Sequence, residues 1–204
     1  MSLRTTVKGD VVVVRFADDF VVGFQHRKEA EQFLAELGER IAKFGLKLHP
    51  DKTRLIEFGR FATDNRQGCG GGKPETFNFL GFTHYCGKNG NGKFTVIRKT
   101  MRARMLKKLK EVNVELRRRR HESIDEQGRY VQALIRGHVQ YYGVPFNSRA
   151  IGAFRYQVIR LWQKWLSRRS HRAYVAWDRM QRYIDRWVPA AVICHPFPSV
   201  RFGG

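Results

Sequence analysis

The chain has 204 residues, of which 42% are hydrophobic, so it is long enough to bury a sizeable core. Its formal net charge of +21 is large for a folded protein and predicts a polyanionic partner, most simply a nucleic acid rather than a membrane surface. No apolar run approaches the roughly 20 residues that cross a bilayer, the first residues lack a signal-peptide core, and three widely spaced cysteines favour neither a disulfide framework nor a zinc site. We therefore expect a cytosolic protein with no membrane partner.

The front of the chain begins with two hydrophobic runs, Val11–Val14 and Phe20–Phe24, on either side of the adjacent acids Asp18 and Asp19. Because β-branched and aromatic residues favour strands, these runs predict a hairpin with the acids at its tip. Apolar residues at helical spacing between Lys28 and Phe44 then predict a helix, which Gly45 would end.

The next segment predicts a turn at His49–Lys52 and a strand at Thr53–Phe58. The glycine-rich run Gly68–Lys73 has neither the context nor the Lys-Ser/Thr ending of a phosphate-binding loop and is interpreted as a linker. Two further strands, "TFNFLGFTHY" and "KFTVI", are predicted on either side of the turn-forming "GKNGNG".

The back of the chain is predicted to be helical, because apolar residues recur at helical spacing in four segments. The first runs from about residue 100 to 120, and Pro189 ends the last. This change of character divides the chain into an αβ part at 1–97, a basic helical part at 98–190 and an irregular tail at 191–204.

The acidic pair at the predicted tip has a chemical rationale. Two magnesium ions about 4 Å apart can activate an attacking oxygen and neutralise charge on a transferring phosphoryl group. Such ions need carboxylates fixed on a rigid element, which a tight hairpin provides. The alternative is that Asp18 and Asp19 simply form a polar turn.

The tip sequence, Phe16-Ala17-Asp18-Asp19, resembles the motif C hairpin of reverse transcriptases, and the rest of the chain resembles the bacterial group II intron-encoded reverse transcriptases that also act as maturases. "KFGLKLHPDKTRLIEFGRFA" is similar to their motif D and "FNFLGFTHY" to the primer-grip motif E. "LIRGHVQYYG" and "FRYQVIRLWQKWLSRRS" are similar to their thumb, or domain X. The resemblance implies an α+β fold: a partial right-hand palm, with an antiparallel sheet and one or two helices, followed by an all-helical thumb.

The resemblance also implies roles for individual residues. Asp18 would ligate both magnesium ions, with Asp19 supporting the site, and Lys52 would act as a general acid unless it is an ordinary exposed lysine in a turn. Gly81 would let a primer backbone approach closely, with a β-bulge glycine as the alternative. The primer grip as a whole comprises Phe79, Leu80, Gly81 and Phe82.

Departures from the family pattern limit the expected activity. Phe16 stands where the family usually has tyrosine, and the family needs a further aspartate upstream, whereas this chain begins ten residues before "VVVVRF". We therefore expect Mg²⁺-dependent nucleotidyl transfer only in the full-length enzyme, of which this chain would be the C-terminal part. One alternative is a non-catalytic RNA-binding maturase module. A second, a metal-dependent nuclease, is disfavoured because no His or Glu cluster completes a site.

Basic residues crowd the predicted helices more densely than solubility requires, and like charges four residues apart destabilise a helix. A bound polyanion would reverse that penalty, although a solvated basic face is the alternative. The expected partners are group II intron RNA and an RNA/DNA primer-template duplex, recognised through phosphates and 2′-hydroxyls. Self-association through an exposed sheet edge is a further expectation. The residues predicted to contact nucleic acid are Arg98, Lys99, Arg102, Lys108, Arg168, Arg169 and Arg172.

Overall fold

The computed structural model describes residues 8–68, 70–170 and 174–197. Five strands in two antiparallel sheets and six helices lie within these ranges, so the predicted α+β class is confirmed. The chain divides into two compact units, Met1–Glu57 and Phe58–Gly204. Each unit is described by itself below.

The first unit contains the predicted hairpin and the predicted helix. Strands β1 (Val11–Phe16) and β2 (Asp19–Phe24) pair antiparallel, with Val11 opposite Phe24 and Phe16 opposite Asp19. Helix α1 (Arg27–Ala42) follows, and the chain leaves it through Gly45, whose φ of 70° is accessible to glycine without strain. The hairpin, the helix and its terminating glycine therefore agree with the sequence-based predictions.

The first unit buries very little of its apolar surface. Ala30 is the one buried residue among residues 8–57, and the rings of Phe24 and Phe33 pack at 5.3 Å between centroids. Val12, Val13 and Val14 are 63%, 51% and 46% exposed although they form the middle of β1. An apolar strand with this much solvent exposure is unusual, since exposed hydrophobic edge strands tend to pair with other chains. Whether this edge mediates self-association stays a prediction.

The second unit begins with a short helix and a three-stranded sheet. Helix α2 (Ala62–Gly68) was not predicted, and it is followed by β3 (Phe77–Phe79), β4 (Phe82–Lys88) and β5 (Phe94–Thr100). The sheet is antiparallel in the order β3-β4-β5.

Two strand predictions in this region are wrong. Residues 53–58 form no strand, because high β-propensity alone does not supply the hydrogen-bonding neighbour that a strand needs. The run "TFNFLGFTHY" is not one strand but two, β3 and β4, which a turn at Leu80-Gly81 separates.

The remainder of the second unit is a helical bundle, as the apolar periodicity predicts. Its helices are α3 (Arg102–Arg118), α4 (Ile124–Tyr142), α5 (Ser148–Leu166) and α6 (Trp177–Trp187). A capping box begins α4: Glu126 N–H donates to the Ser123 hydroxyl at 3.2 Å, and Ser123 N–H donates to the Glu126 carboxylate at 2.9 Å. The core of the bundle is formed by fully buried side chains of all four helices, including Val112, Leu116, Val131, Ile135, Phe154, Val158, Trp162 and Met180.

A buried asparagine joins the three-stranded sheet to the bundle. Asn147, only 1% exposed, accepts a hydrogen bond from Thr100 N–H at 3.0 Å. Its amide nitrogen donates to the Thr100 hydroxyl and to the Tyr142 carbonyl, both at 2.8 Å. Because buried polar groups are costly unless paired, these bonds fix the end of β5 against the bundle. The sheet therefore belongs to the same compact unit as the helices, while the predicted assignment of residues 1–97 to a palm stays a prediction.

The tail shows no regular secondary structure over residues 189–197, and residues 198–204 lie outside the described residues. Among the residues that the structure describes, no helix has both the length and the apolar character needed to cross a membrane.

Candidate functional site

The tip of the β1–β2 hairpin is a two-residue turn that carries the acidic pair. Ala17 and Asp18 form the turn, and Asp19 is the first residue of β2. Ala17 has a φ of 54°, which places an L-residue where glycine is preferred, and Arg15 Nε donates to the Ala17 carbonyl at 2.9 Å. A left-handed residue costs about 1–2 kcal/mol, and strain of this kind concentrates at functional sites.

Both acidic side chains are exposed and available to a ligand. Within the described ranges, neither Asp18 nor Asp19 forms an ion pair, and no group of three or more His, Cys, Asp or Glu residues is placed to hold a metal ion. Mg²⁺ is commonly held by one or two carboxylates, with waters and substrate phosphates completing its shell. Two adjacent carboxylates on a short turn fit the protein's share of such a shell. Their role as metal ligands stays a prediction.

Lys52 lies in the predicted turn after α1. Thr53 N–H donates to the His49 carbonyl at 2.9 Å, which closes the turn and leaves the Lys52 side chain exposed. This placement is compatible with a general acid and with an ordinary surface lysine, so both interpretations stay open.

The turn at Leu80-Gly81 is the most constrained point of the predicted primer grip. Leu80 and Gly81 have φ values of 49° and 77°, the pattern of a type I′ hairpin, with Phe79 paired to Phe82 across it. Tyr141 Oη donates to the Leu80 carbonyl at 2.9 Å, and the backbone N–H of Met101 donates to the Gly81 carbonyl at 3.0 Å. Both carbonyls of the turn are thus held by the bundle or the residue that leads into it.

Gly81 is required by its own surroundings within the second unit. A Cβ at this position would lie 2.9 Å from Tyr142 Oη, in addition to the strain of a positive φ. The alternative interpretation, a β-bulge glycine, is wrong, because Gly81 lies in a two-residue hairpin turn. Its role against a primer stays a prediction.

The aromatic residues of the same segment pack inwards. Phe82 is 8% exposed, and its ring lies parallel to that of Tyr141 at 5.9 Å and edge-on to that of Tyr142 at 5.1 Å. Packing therefore explains Phe82 in this structure, and direct contact of residues 79–82 with a primer stays a prediction.

The predicted basic contacts of β5 and α3 differ in exposure. Lys99, Arg102 and Lys108 are exposed, whereas Arg98 is partly buried in β5. Burial, followed by the charge of Arg98, lowers the pKa of His84. Lys108 Nζ lies 3.3 Å from a carboxylate oxygen of Glu111, both on the exposed face of α3. These three exposed cations are accessible to a polyanion.

The end of α3 uses part of its basic cluster internally. Arg118 and Arg119 donate to the Glu115 carboxylate, and these hydrogen bonds lower the pKa of Glu115 to about 2. Some of the arginines at this end of the helix therefore form local ion pairs in addition to making the surface positive.

The second predicted basic cluster also divides between surface and interior. Arg168 is exposed and lies over the Trp165 ring at 5.6 Å, within the range of a cation–π contact. The half-buried Arg169 instead donates to the Glu122 carbonyl, which ties the end of α5 to the start of α4. Arg172 lies outside the described residues. Nucleic-acid contact by these arginines stays a prediction.

The sequence-based predictions missed a cleft of about 510 Å³ in the second unit. Residues of α3 and α4 line most of it, including Arg104, Lys107, Lys108, His138 and Tyr141. A partial signal exists in the sequence, because Arg104 and Lys108 are four residues apart and therefore share a helix face. Their partners on α4 emerge only from the packing of α3 and α4 against α5.

Burial keeps the imidazole at the cleft neutral. His138 is 9% exposed, and its ring stacks on Phe154 at 3.6 Å and lies 4.6 Å from Tyr142. Desolvation, and to a smaller extent the charge of Lys108, lower the pKa of His138 to about 4. Its buried Nε2 has no hydrogen-bond partner among the described residues. The ring of His138 therefore packs between α4 and α5.

These features define an α+β chain with an exposed acidic hairpin tip in one unit and a basic, aromatic-lined bundle in the other. The family model described as reverse transcriptase (RNA-dependent DNA polymerase) matches residues 2–84. This segment is thus similar to reverse transcriptases, and it contains the hairpin with Asp18 and Asp19, Lys52 and the Leu80-Gly81 turn. The match ends within β4, so helices α3–α6 lie beyond it. The comparison with curated proteins gave no match.

Proposed function

We propose that the chain is the palm-to-thumb part of a bacterial group II intron reverse transcriptase and maturase, which binds intron RNA and an RNA/DNA primer-template duplex. The observation that carries the proposal is the match of residues 2–84 to the reverse transcriptase family, together with the Phe16-Ala17-Asp18-Asp19 turn inside it. The net charge of +21 supports a polyanionic partner.

In this proposal Asp18 and Asp19 supply carboxylate oxygens to Mg²⁺. When bound, the metal would stabilise negative charge on the phosphoryl group that is transferred to the primer. The short hairpin contributes by holding both carboxylates on one rigid turn, free of competing ion pairs within the described residues. Nucleotidyl transfer belongs to the full-length enzyme, in which another segment adds a further carboxylate.

Nucleic-acid binding is assigned to the exposed cations of the second unit. Lys99, Arg102 and Lys108 are accessible on β5 and α3, and phosphate contacts of this kind depend on charge rather than on sequence. A helical bundle with such a face fits the thumb of the proposed family, and residues 98–190 are assigned to it.

A direct test is the binding of a fluorescent RNA/DNA duplex to the purified chain over a series of salt concentrations. Each phosphate neutralised contributes about −0.9 to the slope of log affinity against log salt, so a slope of about −4 or steeper is expected from about four or more contacts. The variant Asp18→Ala should bind as the unaltered chain does. A salt-independent affinity, or no binding at all, contradicts the proposal.

The second candidate is a non-catalytic RNA-binding maturase module. The observation that favours it is the concentration of exposed cations on the second unit, away in sequence from the acidic turn. The two candidates differ in the assembled enzyme: primer extension that Asp18→Ala abolishes supports the polymerase, whereas intron splicing without any primer extension supports the non-catalytic module.

A further inference from the structure

The cleft between α3 and α4 combines a fixed aromatic surface with a net positive charge. Its volume of about 510 Å³ falls within the range of small-molecule sites. The cleft is lined by three cations, Arg104, Lys107 and Lys108, against the single carboxylate of Glu111. A ligand that fills it should therefore be anionic on one side and apolar on the other.

Tyr141 is held as a rigid surface at the edge of this cleft. One side of its ring lies parallel to Phe82 at 5.9 Å, and its hydroxyl donates to the Leu80 carbonyl at 2.9 Å. Even so, the residue is 53% exposed. A tyrosine ordered at both its ring and its hydroxyl, with half its surface open, loses little entropy when another flat ring stacks on it.

A second and independent observation comes from His138, which also lines the cleft. Its Nε2 is buried without a hydrogen-bond partner among the described residues. Buried polar atoms of native proteins are nearly always paired, so an unpaired one on a cleft wall indicates a missing partner. The neutral ring, with its pKa lowered to about 4, leaves the positive charge of the cleft to the arginine and lysines.

We propose that this cleft binds one unpaired nucleotide of a nucleic acid strand, with the base stacked on Tyr141 and the adjoining phosphate held by Arg104, Lys107 and Lys108. The ring of His138 closes the wall of the cleft behind the bound unit. This inference rests on the proposed function and adds to it a site for single-stranded nucleic acid, distinct from charge-based contact with a duplex.

The test uses a pentanucleotide with a central 2-aminopurine, whose fluorescence is quenched when the base stacks on an aromatic ring. Binding to the purified chain should quench it saturably. Tyr141→Leu, which keeps an apolar side chain but removes the ring, should weaken binding roughly tenfold, because stacking contributes about 1–3 kcal/mol per base. Tyr141→Phe keeps the ring and should remain within about twofold of the unaltered chain by the same reasoning.

Two controls separate the site from general attraction to a basic surface. Tyr156 on α5 is 52% exposed, close to the value for Tyr141, and lies outside the cleft, so Tyr156→Leu should leave quenching unchanged. An abasic pentanucleotide carries the same phosphates and should compete at least tenfold less well, since it cannot stack.

Lys108→Gln combined with Arg104→Gln should weaken binding without abolishing quenching at saturation.

The proposal is overturned if Tyr141→Leu, shown to be folded by circular dichroism, binds the probe as the unaltered chain does. It is equally overturned if the abasic strand competes as well as the intact one. Duplex binding measured in parallel keeps the two ideas apart: a chain that binds the duplex but shows no Tyr141-dependent quenching refutes the cleft site alone. A chain that binds neither refutes the proposed function as well.

Discussion

Acidification should destabilise the second unit through His138. Because burial lowers the pKa of His138 to about 4, while an unfolded histidine has a pKa of about 6.5, the unfolded chain binds the proton first as the pH falls. The contribution of this shift to the free energy of unfolding is therefore fully present above pH 6.5. It is lost as the pH falls towards 4, and His138 causes no further loss below its folded pKa.

The magnitude follows from the difference between the two pKa values. One pKa unit corresponds to about 1.4 kcal/mol, so the full shift is worth roughly 3 kcal/mol, and about 2 kcal/mol of it should be lost by pH 5. Of the charged groups that line the same cleft, Lys108 contributes to the pKa shift, and the others are Arg104, Lys107 and Glu111. The charge of Lys108 adds to the cost of protonating the imidazole.

The assay is urea unfolding followed by tryptophan fluorescence at pH 7 and pH 5. His138→Phe removes the titrating group and keeps a ring to stack on Phe154 at the position now 3.6 Å away. Between pH 7 and pH 5, the free energy of unfolding of this variant should fall by about 2 kcal/mol less than that of the unaltered chain. His121→Gln, a change at an exposed histidine of the same unit, controls for loss of an imidazole. Equal losses in the unaltered chain and in His138→Phe would refute the assignment.

Three further predictions concern catalysis and folding. The purified chain should not extend a primer on an RNA template with Mg²⁺; extension that Asp18→Ala abolishes would show a complete centre. Gly81→Ala should lower the free energy of unfolding by roughly 2 kcal/mol, because it combines a positive φ with a contact to Tyr142 Oη. Gly90→Ala, at an open position without a positive φ, is its matched control in the same urea titration, and equal effects would contradict the reasoning. Asn147→Ala should cost about 2–3 kcal/mol in unfolding experiments, since it removes three buried hydrogen bonds; a loss below about 0.5 kcal/mol would show that the bonds are replaced.

The secondary-structure elements that could be predicted from the sequence are those set by residue patterns within the element itself. The helices α3–α6 carry apolar residues at helical spacing, and the valine and phenylalanine runs around Asp18 and Asp19 predicted the first hairpin. The strand expected at residues 53–58 does not form, because strand formation requires a neighbour that the local sequence does not specify.

Long-range contacts explain what local patterns could not reveal. The turn at Leu80-Gly81 lacks the Asn-Gly or Asp-Gly signal of a type I′ hairpin, and distant groups at Met101 and Tyr141 hold it in place. The cleft likewise depends on how α3 and α4 both pack against α5. The internal role of Arg169 could not be predicted from the local sequence either. Its hydrogen bond to the Glu122 carbonyl forms only because the end of α5 lies beside the start of α4.

The central claim, that Asp18 and Asp19 form the metal-binding tip of a nucleic-acid-binding polymerase segment, is tested most directly by paramagnetic relaxation. Mn²⁺, which substitutes for Mg²⁺ at oxygen ligands, is titrated at substoichiometric concentration into the isotopically labelled chain bound to an RNA/DNA duplex. The account predicts selective broadening of the backbone amide signals of residues 17–20, abolished when both aspartates are changed to asparagine. Broadening that spares the hairpin, or that persists in the double variant, would contradict the claim.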